Sequence, residues 1–317
     1  MKPAFVFPGQ GAQYAGMGRA LAEAFSAARD AFAEADEALG FALSSLCFEG
    51  PEDRLRLTYY TQPAILATSA AAWRAFASAG GAVAPAFVAG HSLGEYTALV
   101  AAGSLAYADA LRLVHLRGRL MDEAVPAGRG AMAAVLGAER DALAELCERV
   151  SADAGEPVEL ANVNCPGQLV VSGAAAAVQA LATRAAEAGA RRALRLDVSG
   201  PFHSSLMRPA GARLAAELAK TAVRGARVPV VANVHARPLL AADDIREALA
   251  QQVASPVLWE ASVTAMAAGG VTDFVEFGPG TVLSGLIRKT AGQVRTWHVE
   301  DPETLSQALA GLAGGER

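Results

Sequence analysis

The 317-residue sequence predicts an α/β protein, a parallel-sheet body carrying a small inserted α+β unit. Three observations carry that expectation. Apolar runs of strand length alternate with segments of helical apolar spacing along the chain. One such run, PAFVAG (85–90), leads directly into GHSLG, a Gly-x-Ser-x-Gly spacing that many α/β enzymes place on a tight strand-to-helix turn. Finally, the pattern changes at about Pro126 and changes back after about Asp197, which gives a body of 1–125 and 198–317 around an insertion of 126–197.

AFVF at Ala4–Phe7 reads as a buried strand ending in a Gly-rich turn, followed by one helix over about 17–39 that Gly40 stops. Residues 63–79 form a second apolar helix, closed by Gly80 and Gly81. After the strand at 85–90 comes a helix from about Leu93 to Ala102, capped by Gly103, and another over 107–124. In the insertion, GAMAAVLG, QLVVSG and RALRLDV read as strands and 139–150 and 174–189 as helices, a βαβαβ-like block. VPVVAN, DDIREALAQQV, DFVEFG and a helix near 281–290 return to the body pattern, and 311–317 is expected to fray.

Hydrophobic residues make up 53% and charged residues 19%, a composition that packs a core and excludes disorder. The apolar run in MKPAFVFPGQG is too short for a signal-peptide core, and no stretch approaches the length of a membrane span. Cys47, Cys147 and Cys165 are far apart, against both a disulfide framework and a zinc site, and a cytoplasmic location fits best. A net charge of −5 disfavours nucleic acid as a partner. Between Arg184 and Arg227, however, nine cations face three anions, a local +6. It is either a solvated helix surface or a docking face for an acidic partner.

Ser92 is the first candidate for chemistry. Gly90 and Gly94 flank it where a side chain would block close backbone approach, and the helix after it would aim N–H groups, that of Leu93 first, at an oxyanion beside the hydroxyl. The spacing alone does not say whether an acyl group on Ser92 goes to water or to a second molecule. Five histidines are available as its base. His91 points away from its neighbour on a sharp turn, His115 falls on a polar helix face with Arg112, Arg119 and Asp122, and His298 sits near the C-terminal tail. That leaves His203, in the turn-like SGPFHSSLM, preferred over His235 in NVHARP. Arg117 is the most informative residue. On helix 107–124 the apolar stripe runs Ala110, Leu113, Val114, Leu120, Met121 and Ala124, and position 117 falls inside it. A guanidinium there costs several kcal/mol unless a carboxylate meets it. That carboxylate belongs either to a protein acid or to a substrate with a dicarboxylic acyl group.

FPGQGAQYAGMG, TQPAI at 61–65, GHSLGEYTALVAAG, HLRGRLM, GAMAAVLG, NVNCPGQLVVSG, PFHS, SPVLW and EFGPGTVLSGLIRK follow one another in an order that is similar to one family. Over about residues 3–290 the chain resembles the malonyl-CoA:acyl carrier protein transacylases of bacterial fatty-acid synthesis and the related acyltransferases of polyketide synthases. The resemblance implies a hydrolase-like α/β body with a ferredoxin-like insertion. It implies Ser92 as the acylated nucleophile, His203 as its base and Arg117 as the malonyl-carboxylate clamp. Gln10 would add a backbone N–H to that of Leu93 in the oxyanion hole, and Gln252 would orient His203 through its backbone carbonyl. Malonyl-CoA and acyl carrier protein are the implied partners, no metal or redox cofactor is needed, and a monomer is expected. Cys165 stands where serine is commoner and reads as a small buried substitution. Gly200, Pro201 and Phe202 before His203 are nearer to the polyketide enzymes, whereas Leu93 suits malonyl. Two rivals stay open: a serine hydrolase with Asp197 as the acid behind His203, and a non-catalytic subunit that binds acyl thioesters or carrier proteins.

Overall fold

A computed structural model of the chain describes residues 2–81 and 83–313. Strands β1 (Pro3–Phe7), β2 (Phe87–Gly90), β7 (Val230–Val231), β8 (Pro238–Leu239), β9 (Asp273–Phe277) and β10 (Arg295–Val299) form one sheet, in the order β10-β9-β1-β2-β7-β8. Every pairing is parallel except β7 with β8. The central β1 is buried at all positions because helices cover both faces, hence its unbroken apolar run. The carboxyl ends of β1, β2 and β7 lie side by side and deliver Gln10, Ser92 and Asn233 to one crevice.

A second, antiparallel sheet holds β3 (Gly130–Leu136), β4 (Val158–Cys165), β5 (Gln168–Ala174) and β6 (Arg192–Arg195), in the order β4-β5-β3-β6. With helices Arg140–Ala154 and Ala175–Arg184 it makes a βαββαβ unit with its own apolar core around Val135, Leu146, Val171 and Leu181, which is the ferredoxin-like arrangement. The βαβαβ reading of this block lacked β4. Its pairing with β5 shifts register twice, between Leu160 and Asn162 and between Val163 and Cys165, so the alternation that announces a strand is broken. The irregular backbone exchanges hydrogen bonds with Val257, through Val163 N–H and the Ala161 carbonyl, and so ties the second sheet to the body.

Two of the expected helices differ in their bounds, and helices Leu43–Glu49, Arg208–Leu218 and Trp259–Ala268 add to those expected. The helix expected over 17–39 is two, Arg19–Ala24 and Ser26–Leu39, separated by the extended Phe25. The helix expected from 63 begins earlier, at Thr58, and holds Pro63 inside it. Pro63 has no N–H to give the Tyr59 carbonyl. The His115 imidazole supplies the missing donor, its Nδ1 2.7 Å from that oxygen. His115 is therefore half-buried against Tyr59, not solvated on a polar face. Helix Tyr107–Glu123 crosses this helix so closely that a Cβ on Gly118 would lie 2.5 Å from Tyr59 Cα. Residues 311–313 close a final helix, Pro302–Ala313, and the rest of the expected frayed tail lies outside the described residues. Among the described residues no helix is long and apolar enough to cross a membrane, and all three cysteines are free and buried.

The two helical glycines at 118 and 285 should respond oppositely to alanine. Gly118→Ala is expected to destabilise by about 1–3 kcal/mol through overpacking. Gly285→Ala, where a Cβ meets nothing within 4 Å, is expected to stabilise slightly. Urea unfolding of the two variants beside the wild type checks both signs.

Candidate active site

The turn after β2 is as tight as its glycines suggest. A Cβ on Gly90 would sit 2.0 Å from the Gly94 carbonyl, and one on Gly94 2.1 Å from the Phe7 oxygen. Between them Ser92 has φ 51°, the left-handed region that costs a non-glycine residue energy unless its surroundings hold it. Asn233 does the holding. Its Oδ1 accepts the Ser92 N–H at 2.7 Å, and its Nδ2 donates to the Gly90 carbonyl at 2.7 Å.

Among the candidate bases, His203 is the one brought to Ser92. Its Nε2 lies 2.8 Å from Ser92 Oγ, and its own φ is 60°. On the other side of the ring, Nδ1 faces the main-chain carbonyls of Gln252 at 2.9 Å and Ser255 at 3.1 Å. Carbonyls only accept, so Nδ1 carries the hydrogen, and Nε2 presents a lone pair to the serine hydroxyl. Burial pushes the His203 imidazole down to about 3, and the charge of Arg117 pushes the same way, so the ring is neutral at physiological pH. His91 turns to Asn164, with Nε2 2.8 Å from Oδ1, His235 is exposed, and His298 lies on the edge strand β10. Asp197 is exposed at the crevice and makes no hydrogen bond to His203.

Arg117 is 1% exposed. Its Nη1 donates to Gln62 Oε1 at 2.9 Å, and its Nη2 to Gln252 Oε1 at 3.0 Å and to Ser92 Oγ at 2.9 Å. Nε has no partner among the described residues, and the Tyr96 ring lies 5.7 Å from the guanidinium carbon. Among the described residues no carboxylate lies within ion-pair distance, which removes the protein acid that the sequence left open as its direct partner. Burial pulls the arginine's pKa down, and Tyr96 and Glu95 oppose that pull.

These groups open onto a cavity of about 710 Å³, whose lining includes Gln10, Ser92, Leu93, Met132, Leu196 and Phe202. The backbone N–H groups of Gln10 and Leu93 have no acceptor among the described residues, and both residues line the cavity. The arrangement combines a hydroxyl on a neutral base, a pair of free N–H donors and a buried cation beside the hydroxyl. It suits acyl transfer from an activated acid that carries a second carboxylate. Cys165 is fully buried, with Sγ 3.8 Å from Gln168 Oε1, away from this cavity. Part of the 184–227 cation excess is ordinary surface pairing, since Arg184 meets Asp153 and Glu187, Arg213 meets Glu123, and Lys220 meets Glu217.

Gln62, Asn233, Ser255 and Glu95 escaped the residue-level reading. Glu95 left a signal in the sequence, a lone charge in the apolar helix Gly94–Ala101, of the same kind that exposed Arg117. Gln62 and Asn233 are neutral amides that act through tertiary contacts and left none.

The model of the acyl transferase domain matches residues 4–311. The malonyl CoA-acyl carrier protein transacylase of Bacillus subtilis is 50% identical over 311 residues, 98% of this chain and 97% of that protein. Its namesake from Escherichia coli K12 is 46% identical, over 96% of this chain and 98% of that protein. Among solved structures, a chain from the complex of a type II PKS acyl-carrier protein with its malonyl-transacylase superposes with a TM-score of 0.95 at 42% identity, covering 98% of this chain and all of that one. The acyl carrier protein S-malonyltransferase of Vibrio cholerae gives a TM-score of 0.94 at 44% identity, covering 97% of this chain and all of that one. The chain belongs to the acyl transferase domain family.

Proposed function

We propose that this acyltransferase moves a malonyl group from malonyl-CoA to the phosphopantetheine thiol of an acyl carrier protein, through a malonyl ester on Ser92. One observation carries the reading: a buried guanidinium, free of any direct carboxylate partner among the described residues, donates to the oxygen that would be acylated. The names of the relatives and of the complexed neighbour support the same donor and acceptor. His203 Nε2 takes the Ser92 proton as Oγ attacks the thioester carbon. The oxyanion so formed rests on the N–H groups of Gln10 and Leu93, each such donor being worth on the order of 3 kcal/mol. The C–S bond then breaks, and the proton on His203 goes to the departing CoA sulfur. Arg117 clamps the distal carboxylate of the ester. The carrier thiol next gives its proton to His203 and attacks the ester carbon, and Ser92 Oγ leaves with that proton. The carbonyls of Gln252 and Ser255 orient His203 where a hydrolase would use an acid, and they favour transfer over the Asp197 hydrolase reading. Carriers of fatty-acid and polyketide synthesis present the same thiol, and the chemistry serves either. The reading is of a monomer acting in the cytoplasm.

Incubation with malonyl-CoA should add one malonyl group to the protein mass, and Ser92→Ala should abolish it. Subsequent carrier protein bearing phosphopantetheine should remove the adduct and gain it. Release of free malonate with no carrier loading would contradict the transfer. Arg117→Ala should lower malonyl loading by about 100-fold or more, in line with the loss of a charged hydrogen-bonding partner, and acetyl loading much less.

The neutral buried base sets a pH dependence. The unfolded chain protonates this histidine below about pH 6.5, but the folded chain does not until about 3, so stability is lost as pH falls through that window. Between pH 6.5 and 5 the wild type should lose about 2 kcal/mol more than His203→Gln. Parallel losses in urea unfolding would contradict a neutral His203.

A further inference from the structure

Glu95 is a buried carboxyl group that the proposed transfer steps leave unused. It is 3% exposed in the first turn of helix Gly94–Ala101, three residues beyond Ser92. Its Oε2 accepts the Asn233 N–H at 3.0 Å and the Gln252 side-chain amide at 2.8 Å. Gln252 in turn is fully buried with each polar group engaged. Its Nε2 also donates to the Ser92 carbonyl at 3.0 Å, its Oε1 accepts Arg117 Nη2 at 3.0 Å, and its main-chain oxygen faces His203 Nδ1 at 2.9 Å.

A glutamine amide fills the same volume in either of two orientations, and its surroundings choose between them. The Glu95 carboxylate and the Ser92 carbonyl only accept and the guanidinium only donates, so the NH2 of Gln252 faces Glu95 and Ser92 and its oxygen faces Arg117, with Glu95 the shorter and the only ionisable acceptor. The flipped amide would set donor against donor at Arg117 and oxygen against oxygen at Glu95. Burial pushes the Glu95 carboxyl up to about 7, while its contacts with Asn233 and Gln252 and the charge of Arg117 favour the ionised form.

We infer that Glu95 is a positioning residue for acyl-group selection: by fixing the amide of Gln252 it holds Arg117 in place for the malonyl carboxylate. The role rests on the malonyl reading above. It differs from a general structural role in being specific to acyl groups that carry a carboxylate, because the Gln252 carbonyl on His203 belongs to the main chain.

The test is single-turnover loading of the full chain from malonyl-CoA and from acetyl-CoA. Glu95→Gln keeps the volume but removes the charged acceptor, so Gln252 Nε2 keeps only the Ser92 carbonyl as an obligate acceptor and the amide holds Arg117 less firmly. Malonyl kcat/KM should fall by about 10-fold or more, the scale of one charged hydrogen bond. Acetyl loading should stay within about 3-fold, and Glu95→Gln added to Arg117→Ala should cost malonyl loading nothing further. Equal losses for both acyl groups, or losses that multiply in the double variant, would overturn the role. Gln252→Leu cuts the same link and also frees the Ser92 carbonyl, so it should lower both loadings but malonyl by about 10-fold more than acetyl, even if Glu95→Gln does not fold. Unchanged selectivity in Gln252→Leu would also overturn the role. A wild-type chain that loads acetyl as readily as malonyl would remove the malonyl reading itself, and this role with it.

Discussion

The guanidinium of Arg117 lies in the core with neutral oxygens around it: Gln62 Oε1, Gln252 Oε1 and Ser92 Oγ. Taking such a charge out of water costs several kcal/mol, and neutral acceptors offset only part of that. The site is therefore left with an unspent affinity for an anion, directed at the oxygen that the proposed transfer would acylate. An acyl group ending in a carboxylate completes the ion pair that the fold leaves open, and one without it does not. In the proposed transfer, selection and retention of the ester would both follow from the same charge.

Holding that charge beside Ser92 demands close packing from several distant segments. Helix Tyr107–Glu123 reaches the site because Gly118 lets it lie against the backbone of Tyr59. Helix Thr58–Ser78 contributes Gln62 from its buried face, one residue before Pro63, and His115 repairs the carbonyl that the proline leaves without a donor. The elbow supplies Ser92 in a strained conformation, locked by Asn233 from the end of β7. Helix Ala242–Gln252 ends at the glutamine whose side chain meets Arg117 and whose main chain meets His203. Gln252 thus couples the cation to the base.

Features encoded locally were legible before any coordinates. The elbow is a five-residue pattern, Arg117 is a charge in an apolar stripe, and strands β1, β2, β7 and β9 lie in short apolar runs, whereas β8 and the half-exposed edge strand β10 carry no such run. The order of the motifs then led to the family and, through it, to Gln10 and Gln252. Features made by tertiary contact were not legible from residue patterns. The partners of His203 Nδ1 are main-chain carbonyls, which have no side-chain identity to read. Gln62 and Asn233 are polar residues whose partners lie 55 and 141 positions away. Strand β4 was hidden by register shifts that erase its alternation, and the inward turn of His115 depended on a proline in another helix.

The most direct measurement is a crystal structure of the chain acylated from malonyl-CoA. The malonyl carboxylate is expected on the Arg117 guanidinium, with the ester carbonyl oxygen within hydrogen-bond reach of the Gln10 and Leu93 N–H groups. A carboxylate turned to solvent, with Arg117 still occupied by Gln62 and Gln252 alone, would contradict the central role given to its charge.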